Sequence, residues 1–110
     1  MLLNEYQERA IVTAKMAYGG LPREAYFALK LNGEAGEVAE KIGKIFRDKD
    51  GVISEADRYE IAKELGDVLW YIAALAEQME YSLAAIADLN LNKIADRIAR
   101  GVQFGNGDNR

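Results

Sequence analysis

Apolar side chains recur every three or four positions along almost the whole of this chain, and nowhere do they alternate with polar ones over a strand's length. Periodicity of that kind leaves each segment one stripe to bury, which a helix does and a strand cannot. The single proline, Pro22, stands beside Gly19 and Gly20 in a break between two periodic blocks, so no helix interior has to accommodate it. The fold class that follows is all-α.

Four blocks can be delimited. The first runs from Leu3 to Tyr18, with Leu3, Gln7, Ala10, Ile11, Ala14 and Tyr18 on one face. The second runs from Arg23 to Phe46 and places Phe27, Leu31, Val38, Ile42 and Ile45 on a stripe, with Pro22 suited to its first turn. Ser54 has the position of an N-cap for the third, with Asp57 three residues on, and Ile61, Leu65, Val68, Ile72 and Leu75 facing inward as far as Met79. Ser82 caps the fourth, which buries Leu83, Ile86, Ala87, Ile94 and Ile98 and ends at Gly101. Four helices with short connections predict a four-helix bundle-like domain over residues 1–100, and the glycine-containing segment 101–110 reads as a flexible C-terminal tail. A chain of 110 residues buries a modest core, so a homodimer that shares a core suits it.

Composition narrows the chemistry. The chain has no cysteine and no histidine, which removes thiolate and imidazole nucleophile systems together with the usual zinc sites. Catalysis has to rest on carboxylates, lysines, arginines and metal-bound water. A formal net charge of −4 argues against a duplex-binding module that works by neutralising phosphates. No basic leader followed by an apolar run, and no long uninterrupted apolar stretch, points to a membrane, so the expectation is a cytoplasmic protein.

The second and third blocks share a short likeness: Glu34-Ala35-Gly36-Glu37-Val38 matches Glu64-Leu65-Gly66-Asp67-Val68 in residue type, thirty positions later. In both, the first acid falls on the edge of the apolar stripe and the second roughly 60° further round the helix. A single Glu-x-x-Glu pair is ordinarily a solvated helix edge. Two such pairs in matching phase place four carboxylates at one rim of the core if the helices pack side by side. Like charges so gathered repel and raise one another's pKa unless a cation compensates. Mg²⁺, which prefers hard oxygen ligands and is commonly shared with substrate phosphates, is the fitting ion, with Mn²⁺ as a substitute. Glu40 points to the exposed side, and Asp48-Lys49-Asp50-Gly51 lacks the ligand spacing of a calcium loop.

Glu-x-x-Glu, a gap of 26 residues and then Glu-x-x-Asp resembles the metal-binding signature of the MazG-like nucleoside triphosphate pyrophosphohydrolases. Glu34 to Glu40, Glu64 to Tyr71 and Asn90-Leu-Asn-Lys-Ile-Ala-Asp-Arg97 are all similar to that family, and Gly107-Asp-Asn-Arg110 resembles the ending of some single-domain members. The resemblance implies a MazG-type all-α core completed by homodimerisation, as a dimer or a dimer of dimers. It implies Mg²⁺ held by Glu34, Glu37, Glu64 and Asp67, and hydrolysis of a nucleoside or deoxynucleoside triphosphate to the monophosphate and pyrophosphate. Among the acids, Glu37 and Glu34 are the catalytic candidates, although spacing does not choose which of the four handles the water.

Asn90, Lys93 and Arg97 share one edge of the fourth block and are candidate substrate-binding residues, the two cations for phosphate and Asn90 for the sugar or a phosphate. Lys41 and Lys44, one and two turns after the first acidic pair, are further candidates for phosphate, with pairing of Lys41 to Glu37 as the plainer alternative. Trp70 falls opposite the apolar stripe, where a contact with a second subunit or stacking on a base would account for it. Gln7, inside a stripe, needs a structural hydrogen bond, and the tail could close over substrate through Asn109 and Arg110. Two readings stand beside the main one: a hydrolase of a specialised nucleotide such as phosphoribosyl-ATP, and a non-catalytic helical dimerisation module.

Overall fold

The computed structural model describes residues 1–110 and contains helices only: α1 (Leu3–Val12), α2 (Arg23–Lys49), α3 (Glu55–Gln78) and α4 (Leu83–Arg100). The all-α class is therefore as the periodicity predicts, and two boundaries move. α1 stops at Val12 instead of continuing to Tyr18. There the Thr13 hydroxyl donates to the Ala10 carbonyl at 2.6 Å and the Thr13 and Ala14 amides bond back three residues, tightening the last turn and closing the helix. α2 continues three residues past Phe46, because Arg47, Asp48 and Lys49 are polar residues on an exposed face. Its stop is set by Asp50 and Gly51, both left-handed, and the Gly51 amide reaches the Ile45 carbonyl at 3.2 Å. A side chain at Gly51 would meet the Phe46 ring at 2.8 Å, so glycine is required twice over.

The starts of α3 and α4 follow local chemistry. At α3 the Asp57 amide donates to the Ser54 hydroxyl at 3.1 Å and the Ser54 amide donates to the Asp57 carboxylate at 3.0 Å, a complete capping box. Lys49 Nζ donates to the same carboxylate at 2.8 Å and ties the end of α2 to the start of α3. At α4 Ser82 accepts from the Ala85 amide at 3.1 Å. Two further amides of that first turn are capped from α1: Leu83 donates to Gln7 Oε1 at 2.9 Å and Ala84 to Asn4 Oδ1 at 3.0 Å. Gln7 also donates through Nε2 to the Tyr81 carbonyl at 3.0 Å, so one buried amide satisfies the α3–α4 turn from both sides.

α2 and α3 make the most extensive helix contact, α1 crosses α3, and α4 docks chiefly on α1. The buried cluster is small, built from Ala10, Ala73, Ala76 and Leu83 with Tyr6, Trp70, Ile72 and Ile86 packed around it. Alanines at 73, 74 and 76 let α1 approach α3 closely, which gives α3 a second covered face. That second face accounts for Trp70, which is packed within its own chain: its Nε1 donates to Thr13 Oγ1 at 2.8 Å and its ring stands edge-on to Phe27 and Tyr71. Leu3, Leu65 and Ile98, expected inside, are exposed, because no helix of the same chain lies over them. The radius of gyration is 16.8 Å, against about 13 Å for a compact domain of this length. The helices thus form an open arrangement whose inner faces a single copy does not cover.

Two outcomes follow. Replacing Gln7 with Met strands the Leu83 amide and the Tyr81 carbonyl and should cost ~2 kcal/mol in urea unfolding. The Asp57 carboxyl is pulled down to about 2, first by Lys49 and then by the Ser54 amide and hydroxyl. A carboxyl with a depressed folded pKa stabilises above its unfolded value and loses that contribution as pH falls through the folded one. The melting temperature of the wild type should exceed that of Asp57→Asn at neutral pH, and the difference should fade as pH drops from about 4 towards 2.

Candidate metal and phosphate site

The antiparallel register of α2 on α3 can be read from its contacts. Lys49 meets Asp57, Lys41 meets Glu64, and Phe27 meets Trp70 and Tyr71. Within that register Glu37 comes level with Glu64, and Glu34 with Asp67. One carboxylate oxygen from each of Glu34, Glu37 and Glu64 lies within 4.8 Å of the others. Asp67 falls outside that trio and shares with Glu34 a cavity of about 340 Å³, lined also by Thr13, Met16, Trp70 and Tyr71. Glu37 is exposed, while Glu34 and Glu64 are half-buried.

Three oxygens at that spacing are a hard, all-carboxylate donor set of the kind Mg²⁺ or Mn²⁺ takes, with room left for water or phosphate oxygens. The one cation already in contact is Lys41, whose Nζ sits 3.6 Å from Glu64. Lys41 is thus drawn to the facing helix, and the i+4 pairing with Glu37 is not made. Lys44 turns away to Glu40, 2.8 Å distant, and does not join the carboxylates; that contact pulls the Glu40 carboxyl down. Lys41 and Lys44 do line one shallow cavity of about 230 Å³ together with Asp48, Lys49, Asp57 and Glu60.

Aromatic residues wall the other side of the acids. Tyr18, Tyr26, Phe27, Trp70 and Tyr71 form a chain of aromatic contacts, edge-to-face except for the tilted Phe27–Tyr71 pair, with centroids 4.9–6.3 Å apart. Burial, then Tyr26 and the Glu34 carboxylate, push the Tyr71 phenol above its ordinary value; burial and Asp67 do the same to Tyr6. Both remain protonated donors at neutral pH beside the carboxylates. Sequence reasoning assigned no role to Tyr71, Thr13 or Met16. Tyr71 carried a signal, standing one turn beyond Asp67 on the same helix. Thr13 and Met16 carried none, since they reach the cavity only because α1 ends early.

The basic edge of α4 is built differently. Asn90 is exposed, and none of Asn90, Lys93 or Arg97 forms a hydrogen bond or ion pair with the four acids of α2 and α3. Lys93 and Arg97 are instead brought to the segment after α4. Asp108 Oδ1 lies 3.3 Å from Lys93 Nζ and 3.2 Å from Arg97 Nη2, and the Asp108 carbonyl accepts from Arg97 Nη2 at 2.8 Å. Arg97 leads in holding the Asp108 carboxyl below its usual range, and Lys93 adds to it. Arg97 itself is buried, and its Nε has no acceptor. Arg110 turns back on its own segment, donating to the carbonyls of Val102, Gln103 and Gly107.

Comparison with known proteins identifies the family. The family described as MazG nucleotide pyrophosphohydrolase domain matches residues 24–101, which takes in α2 from its second residue, α3 and α4. A Gene 37 protein of Mycobacterium phage L5 is 51% identical over 86 residues, covering 78% of this chain and 75% of that protein. No solved structure matches the chain.

Proposed function

Because the chain belongs to the MazG nucleotide pyrophosphohydrolase family, we propose that it hydrolyses a nucleoside or deoxynucleoside triphosphate to the monophosphate and pyrophosphate. The observation that carries this reading is the trio of carboxylate oxygens from Glu34, Glu37 and Glu64 within 4.8 Å of one another. Those three residues, with Asp67 beside them, would hold Mg²⁺, for which Mn²⁺ would substitute. When bound, the ion neutralises triphosphate charge and makes water a better nucleophile at neutral pH.

The chain's own residues supply the rest. Glu37 is the exposed member of the trio and the one most open to water, so it would orient the attacking water and accept its proton. Glu34, half-buried, belongs to the trio and also lines the aromatic cavity, so it would help to hold the ion on the side where that cavity opens. Lys41, already at the edge of the carboxylates, would donate to a phosphate oxygen. Lys93 and Arg97 stabilise the charge that builds on phosphate as the bond to the leaving pyrophosphate breaks, and Asn90 bonds the sugar or a phosphate. Lys44 is engaged by Glu40 and would have to leave that exposed pair to reach a phosphate.

The working form is a homodimer or a dimer of dimers. Leu29, Phe46, Leu65, Leu91 and Ile98 expose between 51% and 65% of their surface on a chain with only nine buried residues. Apolar faces of that extent are ordinarily covered. A second copy covers them and brings a basic edge to the acids that one chain keeps apart. No helix is long and apolar enough to cross a membrane.

Incubation with each common NTP and dNTP, with Mg²⁺ or with chelator, should release pyrophosphate and monophosphate in equal amounts only where metal is present. No release from any of them would leave the helical interaction module as the better account. Glu37→Gln should lower kcat by ~10²-fold or more with helix content unchanged. Mg²⁺ should raise the melting temperature of the wild type and leave that of Glu64→Gln unmoved, since an ion stabilises only a fold that binds it. Light scattering should give a mass of at least twice 12.2 kDa, and Leu91→Asp should shift the protein to a less stable monomer.

A further inference from the structure

The contacts of Lys93 and Arg97 point to a second feature of this site. Their partner is Asp108, an anion belonging to the chain itself, and one of its oxygens serves both cations. The segment that delivers Asp108 is built for it. Gly107 takes a left-handed turn with φ of 80°, and the Arg110 guanidinium gathers three carbonyls of the same segment into a closed loop. We propose that Lys93 and Arg97 form an oxyanion site that Asp108 fills in the resting protein, so that a phosphate group engages them only by displacing the 105–110 segment.

Three features support competition over a permanent strut. The Asp108 side chain is 80% exposed while that of Arg97 is 9% exposed, so the anion is the partner that can leave at little cost. Arg97 Nε is buried without an acceptor, which means the Asp108 oxygens satisfy the guanidinium incompletely. A tetrahedral oxyanion in the same place offers further acceptors, enough for Nε and Nη2 together in the forked geometry that guanidinium favours, with Lys93 as a third donor. Phosphate also carries more charge than a carboxylate, so it gains more from the same two cations.

This inference rests on the reading of Lys93 and Arg97 as phosphate contacts, but not on turnover. The probe is inorganic pyrophosphate with EDTA, measured by calorimetry against the wild type, Asp108→Asn and Arg110→Ala. The amides of Gly105 and Gly107 are followed by NMR in the same titration. Both variants should bind pyrophosphate about threefold to fivefold tighter, the size of a lost exposed ion pair. In the wild type the two glycine amides should move to unstructured positions as pyrophosphate saturates. Equal or weaker binding by both variants, or glycine amides that stay in place at saturation, would overturn the proposal even if the protein hydrolyses triphosphates. Tighter binding by the variants in a protein that hydrolyses nothing would uphold it and remove the proposed activity instead.

Discussion

The antiparallel contact between α2 and α3 is the constraint on which the rest of the molecule depends. It has to bring together two helix edges that each carry a pair of acids, and like charges at that distance repel. The contact survives because it is anchored away from the acids at both ends. At one end Lys49 bonds the Asp57 carboxylate that also completes the capping box of α3. At the other, Phe27 is buried among Tyr18, Trp70 and Tyr71. Lys41 offsets part of the repulsion in the middle by lying against Glu64. The carboxylates are held where the helices put them, by packing on either side.

α1 and α4 use a different device. Polar side chains of α1, Asn4 and Gln7, complete the first turn of α4 and the turn before it, so the position of α4 is set by hydrogen bonds as well as by the packing of Leu83 and Ile86. An apolar cleft of about 440 Å³ between α2, α3 and α4, lined by residues such as Leu31, Leu75 and Leu89, remains open within one chain. The same openness explains why stripe residues as different as Leu65 and Ile98 are both exposed. It also leaves the acids of α2 and α3 and the cations of α4 without contact to one another, each group carrying its own counter-ion. Lys41 stands by the acids, and Asp108 by the bases.

Much of this was legible in the chain. Helix period, the Ser54 and Ser82 caps, the stop at Gly101 and the need of Gln7 for a partner are local or nearly so, and the structure gives each a specific bond. The helical phase of Glu34, Glu37 and Glu64 was also readable, because a 3.6-residue period fixes direction within one helix. Trp70 was misjudged, since a single-stripe reading cannot know that α1 would cross α3 on a second face. The early end of α1 was missed because the Thr13 hydroxyl outweighs the apolar residues that follow it.

What sequence by itself determined, then, is everything set within one helix: that the chain is all-α, where each segment starts, which residues share a face and which acids are paired. Those properties depend on φ, ψ and side chains at most four residues apart. Tertiary structure alone decided which pairs meet. Lys41 pairs with Glu64 across the helix contact and not with Glu37 on its own helix, a partner that exists only once α3 lies against α2, and Lys93 and Arg97 meet Asp108 because the chain reverses after Gly101. Such choices belong to the relative placement of whole elements, and no spacing along the chain encodes it.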